Sequence, residues 1–311
     1  MLDYSVIVPV YNEEDNIAEL DRQIRASMDK LSKNYEVIYV NDGSKDNSLI
    51  ELKKLKNLKI INLNKNYGQA TALDAGFKEC KGELVVSLDA DLQNDPKDIA
   101  KLVKKLKNEG LDVVAGYRQK RKDALIIRIL TKTSRFLRGL LIKDKIHDTG
   151  CTLRVYKKMA IKSLNLQGEM HRYVTTLLAW KGFKIGEETV THHARIHGKS
   201  KYTCTKCVRG FIDLIYLWFI GKYYQRPLHF FGYASFISVF LGLFSGSVAI
   251  YQKLFEGLSF NRNGWFFLGF FFIIMSIMLF SFGIIIDLLI KINFNSSTVE
   301  KKYYIREIIR K

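Results

Sequence analysis

The sequence predicts an α/β domain, with helices on both faces of a mostly parallel sheet, followed by a C-terminal hairpin of two transmembrane helices. Two observations lead to this fold class. Up to residue 116, short β-branched apolar runs alternate with segments of helical spacing, which is typical of a parallel sheet covered on both faces. In the last third of the chain, two apolar runs exceed the roughly 20 residues needed to cross a bilayer.

The alternating region contains five predicted strands and four predicted helices. Asp46 precedes one helix and Pro96 lies in the first turn of another, and both residue types are common at helix starts. In parallel sheets, ligands bind beyond the carboxyl ends of the strands, so we expect the functional residues there. The strands are predicted at 5–10, 36–40, 58–63, 84–88 and 112–115, and the helices at 16–31, 46–55, 69–80 and 96–107.

Residues 117–226 are mixed and basic, with helices predicted at 124–142 and 205–222. The segment 205–226 contains an apolar run that is too short to span a membrane and is flanked by basic residues. It is predicted as a juxtamembrane helix in the membrane interface, and a helix packed in a protein core is the equal alternative. The N-terminal domain is therefore predicted to cover 1–204.

The two spanning helices are predicted at about 228–251 and 265–290, within a membrane segment at 227–291. The linker between them carries two basic residues. The tail at 292–311 together with Lys291 carries six, and the segment richer in basic residues is expected on the cytoplasmic side. The N-terminus resembles no signal peptide. We therefore predict a multi-pass protein of the cell (inner or plasma) membrane, with the N-terminal domain and both termini cytoplasmic. Asp287 and Lys291 are expected to pair on one helix face.

The net charge of +18 indicates an anionic partner. Because no RNA-reading motif or zinc finger is present and basic residues flank the apolar runs, we expect a lipid bilayer and no nucleic acid. Cys80, Cys151, Cys204 and Cys207 do not form a disulfide framework in a chain of 311 residues. Cys204 and Cys207 make a lone C-x-x-C, interpreted as an incidental reduced pair.

Polar and aromatic residues follow two of the predicted strands. Pro9, Tyr11 and Glu13 end the first strand, where they suit a pocket for a planar base and its ribose; acidic residues that cap the next helix are the alternative. Asp42 ends the second strand, in a sequence that is equally typical of a plain strand-to-helix turn.

The fourth strand runs into two closely spaced carboxylates. Alternation along an extended chain puts Asp89 and Asp91 on one side, where they repel each other unless a cation lies between them. Such oxygen ligands suit Mg²⁺ or Mn²⁺, which in turn hold substrate phosphates. The less favoured alternative is a double cap of the helix that begins at Pro96.

Five ordered motifs resemble those of family 2 glycosyltransferases of the GT-A fold, a Rossmann-like fold. The last two of them are similar to the polyprenyl-phosphate branch, which includes dolichol-phosphate mannose synthase and bacterial undecaprenyl-phosphate glycosyltransferases. The resemblance covers nearly the whole chain, including the two C-terminal spans. The motifs are V-I-V-P-V-Y-N-E-E from Val6, V-N-D-G-S-x-D from Val40, S-L-D-A-D-L-Q-N-D-P from Ser87, D-T-G-C-x-x-R from Asp148 and R-x-x-G-x-S-K-Y from Arg195.

This resemblance implies a reaction and its partners. A sugar would pass with inversion from a nucleotide sugar, expected to be a UDP-sugar, to the phosphate of a polyprenyl (undecaprenyl) phosphate. The product would be a lipid-linked monosaccharide for modification of cell-envelope glycans. A homo-oligomer, a flippase and a downstream glycosyltransferase are further partners that it suggests. The sequence does not identify the sugar.

The resemblance also assigns residue roles. Asp89, Asp91, Arg118 and Asp148 would be catalytic, and Asp148 is expected to orient the acceptor or the sugar, because a lipid phosphate is largely a dianion at neutral pH and needs no strong base. The basic helix with Arg128 is either the lipid-phosphate site or a membrane-facing surface. The remaining assignments are the nucleotide-sugar site (Pro9, Tyr11, Glu13, Asp42, Asp89, and a closing loop with Arg195, Ser200 and Lys201), the lipid-phosphate site (Arg118, Arg128, Lys132, Ser134, Arg135) and the metal ligands (Asp89, Asp91, Gln93).

Three other classes of protein share parts of this pattern. A processive polysaccharide synthase usually carries more spans and a Q-x-x-R-W motif, which this sequence lacks. A nucleotidyltransferase uses paired carboxylates but leaves the motif from Arg195 unexplained. A non-catalytic membrane scaffold is disfavoured because the paired aspartates are intact.

Overall fold

Eight strands form one sheet in the part of the chain that the structure describes. The structure is a computed structural model that describes residues 2–118, 139, 146–166, 168, 170–193, 205–223, 226–295 and 305–310. The chain divides into two compact units, Met1–Asp213 with Lys301–Lys311, and Leu214–Glu300. The strands are β1 (Tyr4–Val10), β2 (Tyr35–Asn41), β3 (Lys59–Leu63), β4 (Leu84–Ser87), β5 (Val113–Tyr117), β6 (Arg154–Lys157), β7 (Ile185–Thr189) and β8 (Ile305–Arg310).

The sheet is mixed and mostly parallel, as predicted. Its order is β7-β5-β6-β4-β1-β2-β3-β8. Two strands, β6 and β8, run antiparallel to their neighbours, and the other pairings are parallel. Because β2 and β3 lie on one side of β1 and β4 lies on the other, the direction of winding reverses between β1 and β4. A ligand crevice is expected at the carboxyl ends of these two strands.

Helices cover both faces of the sheet. Alternation along β1 sends Val6 and Val8 into the core on one face, with α1, α2 and α4, and Ile7 into the core on the other, with α3, α5 and α6. The first four helices lie within about two or three residues of their predicted ends. These helices are α1 (Ile17–Met28), α2 (Ser48–Lys54), α3 (Gln69–Glu79), α4 (Ile99–Asn108), α5 (Lys158–Lys162) and α6 (Val174–Trp180). The predicted helix at 124–142 lies outside the described residues, Gly139 excepted.

The sequence did not predict β6, β7 or β8. The first two have few apolar residues, R-V-Y-K and I-G-E-E-T, so their sequences lack the continuous apolar run that predicted the other strands. β8 lies in the segment that was predicted only as a basic tail. It pairs with β3, and its Ile305 and Ile309 pack on opposite faces of the sheet, against two different core clusters. Glu307 pairs with Lys53 at 3.1 Å.

The second unit contains the two long apolar helices. α8 (Pro227–Phe255) and α9 (Gly264–Asn295) cover both predicted spans, and each has a 29-residue stretch long and apolar enough to cross a membrane. Small residues let the helices approach closely: a Cβ on Gly269 would lie 3.1 Å from the carbonyl oxygen of Gly242. The Ser235 and Ser276 hydroxyls are 2.9 Å apart. The expected Asp287–Lys291 ion pair is present, at 2.7 Å.

The preceding helix, α7 (Thr205–Tyr223), has two different apolar faces. Leu214 and Leu217 are buried, whereas Ile215 and Tyr216 are exposed. An exposed apolar face of this kind is typical of a helix in the membrane interface, one of the two predicted alternatives.

Candidate active site

A cavity of about 260 Å³ opens at the carboxyl ends of the parallel strands. Its lining comes from the ends of β1, β2 and β4 and from the connection between β3 and α3. Six of the predicted site residues lie around it, although they come from three separate motifs. The described residues that line it are Pro9, Val10, Tyr11, Glu13, Asp42, Asn66, Gly68, Gln69, Ala72, Asp89, Ala90 and Asp91.

The β1 end supplies an aromatic ring and a carboxylate to this cavity. Tyr11 is exposed, so its ring is accessible to a planar base. The Glu13 carboxylate accepts a hydrogen bond from Asn16 Nδ2 at 2.6 Å, just before α1. The neighbouring Glu14 accepts from the backbone N–H of Asn47, just before α2, at 2.9 Å. Glu14 therefore supports the start of a helix, and Glu13 is the one that lines the cavity.

Asp42 fixes the wall of the cavity from the end of β2. Its Oδ1 accepts from the Tyr67 backbone N–H at 2.7 Å and its Oδ2 from the Gly68 N–H at 2.9 Å. Burial raises the pKa of Asp42, and these two N–H groups oppose that rise. Asp42 thus holds the β3–α3 connection in place, a role that the sequence did not predict. Its contact with a nucleoside stays a prediction.

Gly43, next to Asp42, allows no side chain. Its φ is +64°, and a Cβ there would lie 2.4 Å from the Lys65 carbonyl carbon, whereas Gly110 has a similar φ of +61° and nothing within 4 Å. We expect Gly43→Ala to cost about 2 kcal/mol more stability than Gly110→Ala, because only the first forces backbone apart. Unfolding midpoints and nucleotide affinity test this. Equal losses in the two variants would contradict the proposed close approach.

Asp89 and Asp91 follow β4 at the floor of the cavity. Asp91 is buried, and burial together with the charge of Asp91 raises the pKa of Asp89 to about 7. Leu92, which follows them, has a φ of 58°. That conformation costs a non-glycine residue roughly 1–2 kcal/mol, so the fold maintains strain next to this pair. The alternative role as helix caps is wrong, because Asp95 caps the turn at Pro96 by accepting from Lys97 N.

The two carboxylates fit a hard divalent cation. Among the described residues, no group of three His, Cys, Asp or Glu side chains lies close enough to share a metal ion. A cation here would be held by Asp89, Asp91 and the phosphate oxygens of a ligand, as Mg²⁺ often is. Gln93, the third predicted ligand, is not among the described lining residues. Its backbone N–H donates to Asp91 Oδ1 at 3.2 Å, and its carbonyl accepts from His193 N at 2.9 Å.

Residues that the sequence did not single out contact or influence Asp89. Gln69 Nε2 donates to Asp89 Oδ1 at 2.6 Å, and the Thr152 side chain hydrogen-bonds the same carboxylate. Asn94 Nδ2 donates to Thr152 Oγ1 at 3.0 Å. The nearby charge of Arg154, a fully buried side chain, lowers the pKa of Asp89. The one sequence signal for this set is Arg154, a charged residue between apolar neighbours within a recognised motif.

Arg118 and Asp148, both predicted site residues, form an ion pair. Arg118 Nε donates to Asp148 Oδ2 at 2.7 Å and its Nη2 donates to Oδ1 at 2.9 Å. The backbone N–H of Gly150 also donates to Oδ1, at 3.1 Å. Burial is the largest single effect on the pKa of Arg118 and lowers it, but the hydrogen bond and charge of Asp148, with the nearby Cys151 and Asp89, together raise that pKa above its ordinary value. The charge of Arg118 also lowers the pKa of Asp89, although neither Arg118 nor Asp148 is among the described residues that line the cavity.

Seven predicted site residues fall outside the described part of the chain. The segment that leads to the last three of them is attached to the Asp91–Asp95 loop, because His192 forms a β-bridge with Asn94. The seven are Arg128, Lys132, Ser134, Arg135, Arg195, Ser200 and Lys201.

Comparison with known proteins identifies related sequences. Residues 5–164 match the family described as Glycosyl transferase family 2. The chain is 39% identical over 264 residues to dodecaprenyl-phosphate galacturonate synthase of Rhizobium johnstonii, covering 82% of this chain and 76% of that protein. It is 37% identical over 219 residues to undecaprenyl-phosphate 4-deoxy-4-formamido-L-arabinose transferase of Edwardsiella ictaluri, covering 68% of this chain and 66% of that protein.

Solved structures show the same fold at lower identity. One is glucosyl-3-phosphoglycerate synthase from Mycobacterium tuberculosis with Mn²⁺, uridine diphosphate and phosphoglyceric acid, at TM-score 0.56 and 17% identity over 71% of this chain and 78% of that one. Another is the mannosyltransferase PcManGT from Pyrobaculum calidifontis with GDP-Man and Mn²⁺, at TM-score 0.52 and 22% identity over 68% of this chain and 64% of that one. The predicted GT-A fold is thereby confirmed.

Proposed function

Because this chain belongs to glycosyltransferase family 2, we propose that it moves a sugar from a nucleotide-sugar donor to the phosphate of a polyprenyl phosphate, with inversion at the anomeric carbon. The chain is an enzyme of the glycosyltransferase class, so a nucleotidyltransferase or a non-catalytic scaffold no longer fits. Binding of the nucleotide-sugar donor is supported by the cavity that Asp89 and Asp91 line. The acceptor half is supported by the two relatives that are named for transfer to dodecaprenyl or undecaprenyl phosphate.

The residues of the cavity divide the work on the donor. Asp89 and Asp91 would hold a divalent cation, which when bound supplies positive charge to the leaving diphosphate. Asp42 holds the β3–α3 connection, which forms part of the cavity lining. Tyr11, exposed at the rim, would stack on the base. The two structural neighbours named above each contain Mn²⁺ together with a nucleotide or nucleotide sugar, which supports a divalent cation here.

Arg118 would face the acceptor, with Asp148 as its positioning residue. A phosphate oxygen of the acceptor attacks the anomeric carbon as the bond to the diphosphate breaks. The acceptor phosphate, with a second pKa near roughly 6, is largely a dianion at neutral pH and requires no strong base. The Asp148 carboxylate already accepts from the Arg118 side chain and from Gly150 N, so it is arranged to orient Arg118. Turnover abolished in Asp148→Ala with both substrates still bound would count against this assignment.

The position of β8 supports the proposed topology. Residues before and after the two apolar helices contribute strands to one sheet. This arrangement supports a topology in which the two helices cross the membrane as a hairpin and both ends of the pair lie on the same side. With the basic tail cytoplasmic, the active site is cytoplasmic too. A flippase and a downstream glycosyltransferase would then act on the product, and self-association would fit the exposed apolar faces of α8 and α9.

The test supplies the membrane-embedded protein with labelled UDP-sugars, UDP-galacturonate among them, and undecaprenyl phosphate, with Mn²⁺, Mg²⁺ or EDTA. We expect a lipid-linked monosaccharide from at least one donor and none with EDTA. Failure of every donor to give lipid-linked product would refute the acceptor assignment. Undiminished product in EDTA would refute the metal site.

A further inference from the structure

Glu187, on β7, holds the segment that carries Asp148. Its carboxylate accepts from the His147 backbone N–H at 2.9 and 3.0 Å, from His147 Nδ1 at 2.7 Å, and from the Asp148 backbone N–H at 3.1 Å. The Glu187 side chain is only 14% exposed. Hydrogen bonds to a charged acceptor are roughly twice as strong as bonds between neutral groups, so this contact is strong for a residue on an edge strand.

The position of this contact in the chain gives it a consequence for Arg118. Arg118 directly follows β5, and Asp148 lies 30 residues further along the chain. Glu187 lies opposite Ala115 in the β5–β7 pairing, so its contact with His147 and Asp148 connects their segment to the strand that precedes Arg118. The position of Asp148 in turn sets the position of the Arg118 guanidinium, because two of its oxygens accept from that side chain.

We propose that Glu187 is a positioning residue for the acceptor: it fixes Asp148, and through Asp148 it aims Arg118 at the acceptor phosphate. This role of Glu187 rests on the proposed function, since it requires that Arg118 binds the acceptor phosphate. It also separates the two halves, because the donor residues Asp42, Asp89 and Asp91 have other hydrogen-bond partners. Loss of Glu187 should therefore weaken use of the acceptor and leave the donor bound.

The chain provides a matched control in the next residue. Glu188 points to the opposite face of β7, where it pairs with Lys105 at 3.4 Å. The experiment compares Glu187→Ala, Glu187→Gln and Glu188→Ala in the full-length, membrane-embedded protein. It measures KM for undecaprenyl phosphate, kcat, the Kd of UDP with Mn²⁺, direct binding of undecaprenyl phosphate without donor, and unfolding temperature.

We expect Glu187→Ala to raise KM for undecaprenyl phosphate, and its Kd, at least about tenfold, with UDP affinity within about twofold of the unmodified protein. Glu187→Gln keeps an oxygen acceptor for the backbone N–H groups and should recover part of the loss. It also decides the question if Glu187→Ala fails to fold. Glu188→Ala should match the unmodified protein.

Two outcomes would overturn the proposal in distinguishable ways. If the unmodified protein transfers sugar but the Glu187 variants behave like Glu188→Ala, or lose donor and acceptor affinity together, the role of Glu187 is wrong and the proposed function stands. If the unmodified protein neither binds undecaprenyl phosphate nor glycosylates it, the acceptor assignment fails and the role of Glu187 fails with it.

Discussion

Replacing Asp91 with asparagine should lower turnover by about 10²- to 10³-fold while leaving the protein folded. Asparagine has the same shape, and its side-chain oxygen still accepts from the Gln93 backbone N–H, so the loop after β4 keeps its bond. What disappears is one of two negative charges on the floor of the cavity. Because Asp89 and Asp91 are the acidic residues that line the cavity there, a divalent cation loses about half of its charged ligands from the protein.

Two measurements separate loss of the metal site from general damage. The rate of lipid-linked product formation gives the effect on turnover, and Mn²⁺ titration by electron paramagnetic resonance gives the metal affinity without turnover. We expect the Mn²⁺ affinity of Asp91→Asn to fall at least about tenfold, or about 1.4 kcal/mol. If Asp91→Asn bound Mn²⁺ as tightly as the unmodified protein does, Asp91 would not be a metal ligand.

Asp95→Asn is the matched control for Asp91→Asn. It is the same chemical change four residues along the same loop, at a carboxylate that accepts from the Lys97 backbone N–H at 3.0 Å. Weakening that cap should cost at most about 1 kcal/mol of stability and leave Mn²⁺ affinity unchanged. If Asp95→Asn reduced turnover as much as Asp91→Asn, the loop as a whole would be sensitive, and the assignment of the metal to Asp91 would not hold.

The predictability of each strand follows from its environment. β1 to β5 were predicted because buried parallel strands need continuous apolar runs, and such runs stand out from the helical segments between them. β8 was not predicted, because its alternating I-R-E-I-I-R lies in a basic tail beyond the membrane helices. No local rule connects that run with β3, some 240 residues earlier, and the pairing is decided by tertiary contacts.

The site residues follow the same division. The location of the site is predictable, since ligands bind at the carboxyl ends of parallel strands. Its metal is predictable as well, since the carboxylates of Asp89 and Asp91 suit a divalent cation. Their partners are not predictable. Asp42 binds the backbone of Tyr67 and Gly68, and Asp148 binds Arg118, across 25 to 30 residues of sequence. A carboxylate predicted to touch a substrate and one that holds a loop look alike in a sequence.

Arg154→Met should destabilise the first unit by about 2–6 kcal/mol, because two carbonyl oxygens lose their donors and each unsatisfied buried acceptor costs about 1–3 kcal/mol. Arg154 is 2% exposed, and it donates from Nη2 to the Thr149 carbonyl at 2.7 Å and from Nη1 to the His171 carbonyl at 2.9 Å. Methionine fills much of the same volume but leaves both carbonyls without these donors. It also removes a positive charge that lowers the pKa of Asp89.

The neighbouring imidazole does not replace that charge. Burial, with the charges of Arg172 and Arg154, lowers the pKa of His171 to about 3, so it is neutral at pH 7. Arg22→Met, at an exposed arginine paired with Glu19, is the control for the same chemical change and should leave the free energy of unfolding nearly unchanged, because an exposed ion pair contributes little. Arg154→Lys keeps the charge but lacks the fork that reaches two carbonyls, and its stability should fall between the two. Denaturant unfolding of the three variants tests this order. If Arg154→Met were as stable as Arg22→Met, the bonds of the buried guanidinium to the Thr149 and His171 carbonyls would contribute nothing to stability.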